Sequence, residues 1–81
     1  MAMTLMDVRP GVSCVIKNIF VNNLRKRIID MGLTTGTKVT VKKLAPLGDP
    51  MEIQVRGYLL TIRKAEARMI DVELSHEEAD Q

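Results

Sequence analysis

Apolar residues recur at every second position over much of this chain. Val12, Cys14 and Ile16 alternate with Ser13, Val15 and Lys17, and Val39 and Val41 alternate with Lys38, Thr40 and Lys42. Met51, Ile53 and Val55 alternate with Glu52, Gln54 and Arg56, and Tyr58, Leu60 and Ile62 with Leu59, Thr61 and Arg63. Ile70, Val72 and Leu74 close the series against Asp71 and Glu73. A period of two puts one face of an extended segment in a core and the other in water, so each run predicts a half-buried strand. Arg56-Gly57 falls between two such runs, which predicts a tight hairpin turn.

The period changes over residues 22–31, NNLRKRIIDM. Leu24, Ile28 and Met31 sit at i, i+4 and i+7, one face of a helix, with Arg25, Lys26, Arg27 and Asp30 mostly off it. Asn22 or Asn23 can cap the start by accepting a backbone N–H. Gly32 stands where a helix exit needs positive φ, and Leu33 can fold back on the last turn. Thr35-Gly36 reads as a further turn. Thr4-Leu5-Met6-Asp7 has the hydroxyl-then-acid spacing of a helix start, which Arg9-Pro10-Gly11 ends after one turn. Lys64–Met69 reads as a helical turn with Ala67 and Ile70 facing inward. Five short strands, each with one apolar face, bury those faces most simply by closing into a small barrel. The predicted fold is therefore mainly β, a five-stranded barrel with one capping helix over 23–31 and short helical turns.

Composition narrows this further. A chain of 81 residues supports one domain, and 46% hydrophobic content is enough for a core. The only aromatics are Phe20 and Tyr58, both expected to be internal or bound up in the hairpin. The single Cys14 excludes a disulfide within the chain and reads as a small apolar core residue. Asp7 and Arg9 interrupt any secretory leader, and no apolar run is long enough to span a membrane, so a cytoplasmic location is expected. The net charge of +2 is uneven. Residues 75–81, SHEEADQ, carry Glu77, Glu78 and Asp80 and no base, leaving twelve bases against seven acids in residues 1–74. The tail is expected to be a solvated, frayed terminus.

"RIIDMGLTTGTKVTV" followed by "APLGDPMEIQVRGYLLTIRKAEARMIDV" resembles the ferrous iron transport protein A (FeoA) family. Its pattern is a helix ending in Arg-Leu-x-x-Met/Leu-Gly-Leu, then Thr-Pro-Gly and a basic strand. Ala-Pro-x-Gly-Asp-Pro, an alternating strand, a Gly turn and a Leu-Arg-x-x-Glu-Ala helical turn come next. Arg27, Gly32, Leu33, Gly36, Ala45, Pro46, Gly48, Asp49, Pro50, Gly57, Arg63, Glu66 and Ala67 match. Thr35 replaces the usual Pro, and Ile28 or Ile29 the usual Leu. The resemblance implies an SH3-like domain over residues 1–74, with 75–81 as an appended acidic tail. It also implies an accessory protein of ferrous iron uptake whose partner is a membrane permease with a GTP-binding domain. Related domains occur in iron-dependent repressors.

The candidate partner-binding residues are Leu47, Gly48, Asp49 and Pro50, with Arg56, Arg25 and Lys26. The Ala45–Pro50 loop is stiffened by Pro46 and Pro50, which can serve the fold alone, with Asp49 accepting nearby backbone N–H groups. Equally, a stiff loop with Leu47 at its tip loses little entropy on binding a partner. Arg25-Lys26-Arg27 is either a solvated face or a dock for an acidic partner surface or anionic lipid. Arg56 is either an exposed turn residue or a contact cation, and less readily an arginine finger toward a nucleotide. His76 with Glu77, Glu78 and Asp80 offers ligands that Fe²⁺ accepts, but a frayed tail preforms no site, so no metal site and no cofactor are expected. No nucleophile–base set or phosphate-cradling loop stands out, so no enzyme is expected. The competing class is a nucleic-acid-binding barrel, which needs stacking aromatics along a basic stripe. No nucleic-acid partner is expected, because only Phe20 and Tyr58 are available for stacking.

Overall fold

A computed structural model describes residues 3–20, 25–47 and 49–75. Six antiparallel strands form one sheet: β1 (Met3–Thr4), β2 (Ser13–Ile19), β3 (Lys38–Leu44), β4 (Met51–Val55), β5 (Tyr58–Ile62) and β6 (Ile70–Leu74). They are ordered β1-β6-β2-β3-β4-β5. The inner faces of β2 to β6 all contribute to a single core that includes Cys14, Ile16, Val41, Ile53, Ile62 and Ile70. A one-layer sheet can do this only by curling around that core, which gives the expected small barrel, open between its two edge strands.

β1 is a sixth strand that alternation does not reveal, because two residues carry no period. Met3 and Thr4 pair with Val72 and Asp71 on β6. The Asp7 carboxylate then accepts the Thr4 backbone N–H at 3.0 Å, closing the single 3₁₀ turn Leu5–Asp7 that the spacing predicted.

β2 and β3 run longer than their alternation suggests. Each is interrupted by one extra residue, Lys17 in β2 and Lys42 in β3, where the pairing register shifts. A bulge reverses the inside–outside phase of the residues beyond it. Ile19 therefore faces the core and is buried, while Phe20 after it is exposed.

Helix α1 (Arg25–Asp30) buries Ile28 completely. The expected caps Asn22 and Asn23, and Leu24, lie outside the described residues. Its exit is resolved in full. Gly32 has φ +94°, its N–H donates to Ile29 O at 2.9 Å, and Leu33 N–H donates to Ile28 O at 3.3 Å. This pair of bonds is the Schellman arrangement, and Leu33 and Ile28, at the two positions such an exit brings together, are both fully buried in the same core. Helix α2 (Lys64–Ala67) comes directly after β5 and buries Ala67 and Glu66.

Candidate functional site

Residues 45–50 leave β3 and return to β4. Ala45 N–H donates to Pro50 O at 3.1 Å, closing the loop at its base, and the Asp49–Pro50 peptide is cis. Leu47 at the tip is 86% exposed, the most exposed large apolar side chain among the described residues. Gly48 lies outside the described residues. Asp49 does hold the loop through a backbone N–H, but a distant one. Its Oδ1 accepts Lys64 N–H at 2.9 Å, at the first residue of α2, where a carboxylate meets an otherwise unsatisfied donor. The loop is thus anchored at its base and against α2, with Leu47 projecting. A shallow groove whose lining includes Lys43, Leu44, Pro50, Met51, Glu52 and Thr61 runs beside it.

Arg56 and Gly57 form the predicted hairpin turn, with φ +51° and +89°. Positive φ at both central residues is the signature of a type I′ turn, which matches the twist of the flanking strands. Asn or Asp normally fills the first of these positions, and an arginine there holds a backbone conformation it does not favour. Its Nη2 donates to Thr37 Oγ1 at 3.4 Å, and no ion pair forms to it among the described residues. Arg56 and the Leu47 loop are not neighbours, although the sequence reading joined them into one surface. They sit at opposite ends of β4, whose five residues at about 3.3 Å each hold them roughly 17 Å apart. What connects them is β5, which runs from the Arg56-Gly57 turn back to Lys64 and Asp49.

The basic run on α1 is divided rather than joined. Lys26 pairs with Asp30 at 3.1 Å in solvent. Arg27 pairs through Nε with Glu66, whose side chain is 4% exposed. Arg25 turns to a separate groove with Asn18, Ile19, Ile29, Thr34 and Thr35. Glu66, noted in the sequence only as a family match, is the structural link between the two helices. Its Oε1 accepts Arg63 N–H at 2.9 Å, so one buried carboxylate both caps α2 and holds α1 against it. Burying a carboxylate is unfavourable unless it is paired and hydrogen-bonded, and both conditions are met here. The Arg63-x-x-Glu66 spacing carried the signal, but without a hydroxyl at the first position it does not read as a helix start.

Phe20 corrects a second expectation, being 42% exposed rather than internal, while Tyr58, 43% exposed, is bound up in the hairpin opposite Val55. They lie at the end of β2 and on β5, with β3 and β4 between, so they make no continuous stacking platform. Tyr58 covers the α1 exit, its hydroxyl donating to Met31 O at 3.3 Å. Cys14 is fully buried, and burial pushes its thiol up to about 11, which leaves it protonated and unreactive near neutral pH. Among the described residues no three His, Cys, Asp or Glu side chains gather as metal ligands, and no helix is long and apolar enough to cross a membrane. Ser75, the first residue of the acidic tail, is buried and donates its N–H to Ser13 O at 3.0 Å, and residues 76–81, His76 among them, lie outside the described residues.

A family model described as the FeoA domain matches residues 3–74. A Fe(2+) transport protein A/Fe(2+) transporter FeoB fusion protein of Porphyromonas gingivalis is 36% identical over 73 residues. That match covers 89% of this chain but 9% of the fusion protein. The solution structure of a FeoA-like protein from Clostridium acetobutylicum superposes with a TM-score of 0.85 at 35% identity, covering 90% of this chain and 86% of that one. The zinc complex of Stenotrophomonas maltophilia FeoA, described as a prokaryotic SH3 domain protein, gives a TM-score of 0.76 at 26% identity, covering 89% and 91%.

Proposed function

The chain belongs to the FeoA family, and from that premise we propose that it is a cytoplasmic accessory protein of ferrous iron uptake that binds and modulates the GTP-dependent ferrous iron permease. The supporting observation is the Porphyromonas gingivalis fusion, in which a segment 36% identical to this chain is carried in one polypeptide with the transporter FeoB. Covalent linkage raises the effective concentration of one module at the other to about the millimolar range, an advantage only where the two touch.

The surface that docks is the Leu47–Pro50 loop. Its base and its Asp49 anchor are already ordered, so binding costs little further entropy. Burying Leu47 in a partner contributes roughly 1.5–3 kcal/mol. Arg56, without an ion pair among the described residues at the far end of β4, adds a cation for an acidic partner surface and mainly raises the rate of association. Arg25 and Lys26 on α1 lie outside this surface and are the reserve interface. The protein acts by binding and performs no chemistry of its own.

The test is a titration of wild type, Leu47→Ala and Arg56→Ala against the purified permease, with GTP turnover followed in the same samples. Leu47→Ala should weaken binding by about tenfold or more at unchanged melting temperature. Arg56→Ala should weaken it less and should reduce its dependence on salt. Wild type should not accelerate GTP hydrolysis by the roughly 10³-fold or more that an arginine finger provides. Unchanged binding by Leu47→Ala would move the interface to Arg25 and Lys26 on α1. A large stimulation lost only with Arg56→Ala would make Arg56 a finger.

A further inference from the structure

β5 is an edge strand, and no further strand pairs with its outer side among the described residues. Its one hydrogen-bonded neighbour is β4, with Val55 opposite Tyr58, Ile53 opposite Leu60 and Met51 opposite Ile62. In a hairpin closed by a two-residue turn, the pairs 55/58, 53/60 and 51/62 exchange their backbone bonds, and the residues between point theirs outward. The N–H and C=O groups of Leu59 and Thr61 therefore face away from the sheet, and no partner for them occurs among the described residues. Edge strands are usually guarded by a charge, a proline or a bulge. Tyr58-Leu59-Leu60-Thr61-Ile62 has none of these. Leu59 is 55% exposed, and Leu60 is only partly covered.

The ends of the strand say what would fit. Arg56 precedes it, Arg63 and Lys64 come after it, and none of the three side chains has a carboxylate partner among the described residues. An uncharged edge bracketed by cations that no described carboxylate pairs is complementary to a strand that is apolar in the middle and acidic at both ends. It is a poor match to a second copy of itself. In an antiparallel β5–β5 pair centred on Leu60, Arg56 of each copy would face Lys64 of the other, and opposed like charges destabilise such pairs.

We infer that the β5 edge binds an extended segment of a partner protein by strand addition, with backbone bonds to Leu59 and Thr61 and acidic residues of the segment at Arg56 and at Arg63 and Lys64. Strand addition of this kind takes affinity from main-chain bonds and selectivity from the flanking side chains. A segment lying there would reach from the Arg56 turn to the base of the Leu47 loop. That is how two sites at opposite ends of β4 come to serve one partner. The permease as donor of the segment rests on the function proposed above, whereas the chemistry of the edge does not, and the experiment separates the two.

The probe is a synthetic peptide of about nine residues, alternating Val and Thr at its centre with Asp and Glu at both ends, set against the same peptide with Lys ends. Isotope-labelled full-length protein is titrated with each, and amide exchange is read residue by residue. The acidic-ended peptide should slow exchange at Leu59 and Thr61 by about tenfold or more, and the Lys-ended one should not. Thr61→Pro removes an outward donor without touching the β4 ladder and should abolish the protection. If that variant fails to keep the wild-type spectrum, Leu59→Lys does the same by placing a charge on the exposed edge. Three results would overturn the inference: equal binding of the two peptides, protection confined to residues away from β5, or protection at Leu59 and Thr61 that grows with protein concentration in the absence of peptide. The last would show that a second copy covers the edge.

Discussion

β4 and β5 are adjacent strands of equal length joined by a two-residue turn, and in sequence they look alike. MEIQV alternates apolar and polar residues, and YLLTI is the more apolar of the two. In the fold their fates diverge. β4 buries Met51, Ile53 and Val55 to within 1% exposure, whereas β5 buries only Ile62. The difference is one of neighbours. β4 has β3 on one side and β5 on the other, so every inward side chain is covered from both flanks. β5 is flanked on one side alone, and its Tyr58 and Leu60 look past the rim of the core. Apolar content at an edge strand is thus surface left over from folding, and it becomes available to a partner.

The largest effect that would test this contrast is a pair of truncations. Ile53→Ala should cost about 2–5 kcal/mol, since a fully buried side chain leaves a cavity, while Leu59→Ala should stay within about 0.5 kcal/mol. Urea denaturation of both variants measures it. A cost for Leu59→Ala approaching that of Ile53→Ala would mean that the β5 edge is already covered.

Next in size is the contrast between the cations of α1. Arg27→Ala leaves Glu66 buried with only the Arg63 N–H to satisfy it, and should cost roughly 2–3 kcal/mol. Lys26→Ala loses an exposed i,i+4 pair and should cost no more than about 0.5 kcal/mol. Equal losses in the same denaturation experiment would remove Glu66 from its place as the link between α1 and α2.

Gly32 tests the far face of β5, where Tyr58 meets the α1 exit. A Cβ at Gly32 would lie 2.8 Å from the Tyr58 hydroxyl, and the residue has positive φ. Gly32→Val should therefore cost at least about 1–2 kcal/mol. Adding Tyr58→Phe should recover only the part due to the contact, not the part due to the backbone. Full recovery in the double variant, read as melting temperature, would show that φ plays no part.

The smallest effect is at the turn between the two strands. Arg56→Asn places a residue that favours this turn at φ +51° and should stabilise the protein by a few tenths of a kcal/mol, to about 1 at most. A loss of stability instead would mean that the Arg56 bond to Thr37 outweighs the backbone preference.

Much of the fold was legible because it obeys local rules. Alternation located β4, β5, β6 and the inward halves of β2 and β3. Gly32 and Leu33 marked the helix exit, and Arg56-Gly57 the hairpin, since few residues adopt positive φ without strain. Exposure of Leu47 could be read too, as a lone apolar residue between two prolines. The bulges at Lys17 and Lys42 could not, because a register shift depends on the partner strand and the few residues beyond each bulge are too short a run to show the changed phase.

What only the tertiary structure decided is which distant groups meet. Asp49 reads as a turn acid, but its partner is Lys64 N–H, across β4 and β5. Arg27 looked like part of a basic surface until Glu66 came to it from another element. Arg56 and Leu47 looked adjacent because few residues separate them, yet an extended strand between two points holds them apart by nearly its full length. The sequence determines periods, turns and caps because those depend on neighbours along the chain. Edges, ion pairs across elements and the extent of a binding surface depend on neighbours in space, and chain closure around the core assigns them.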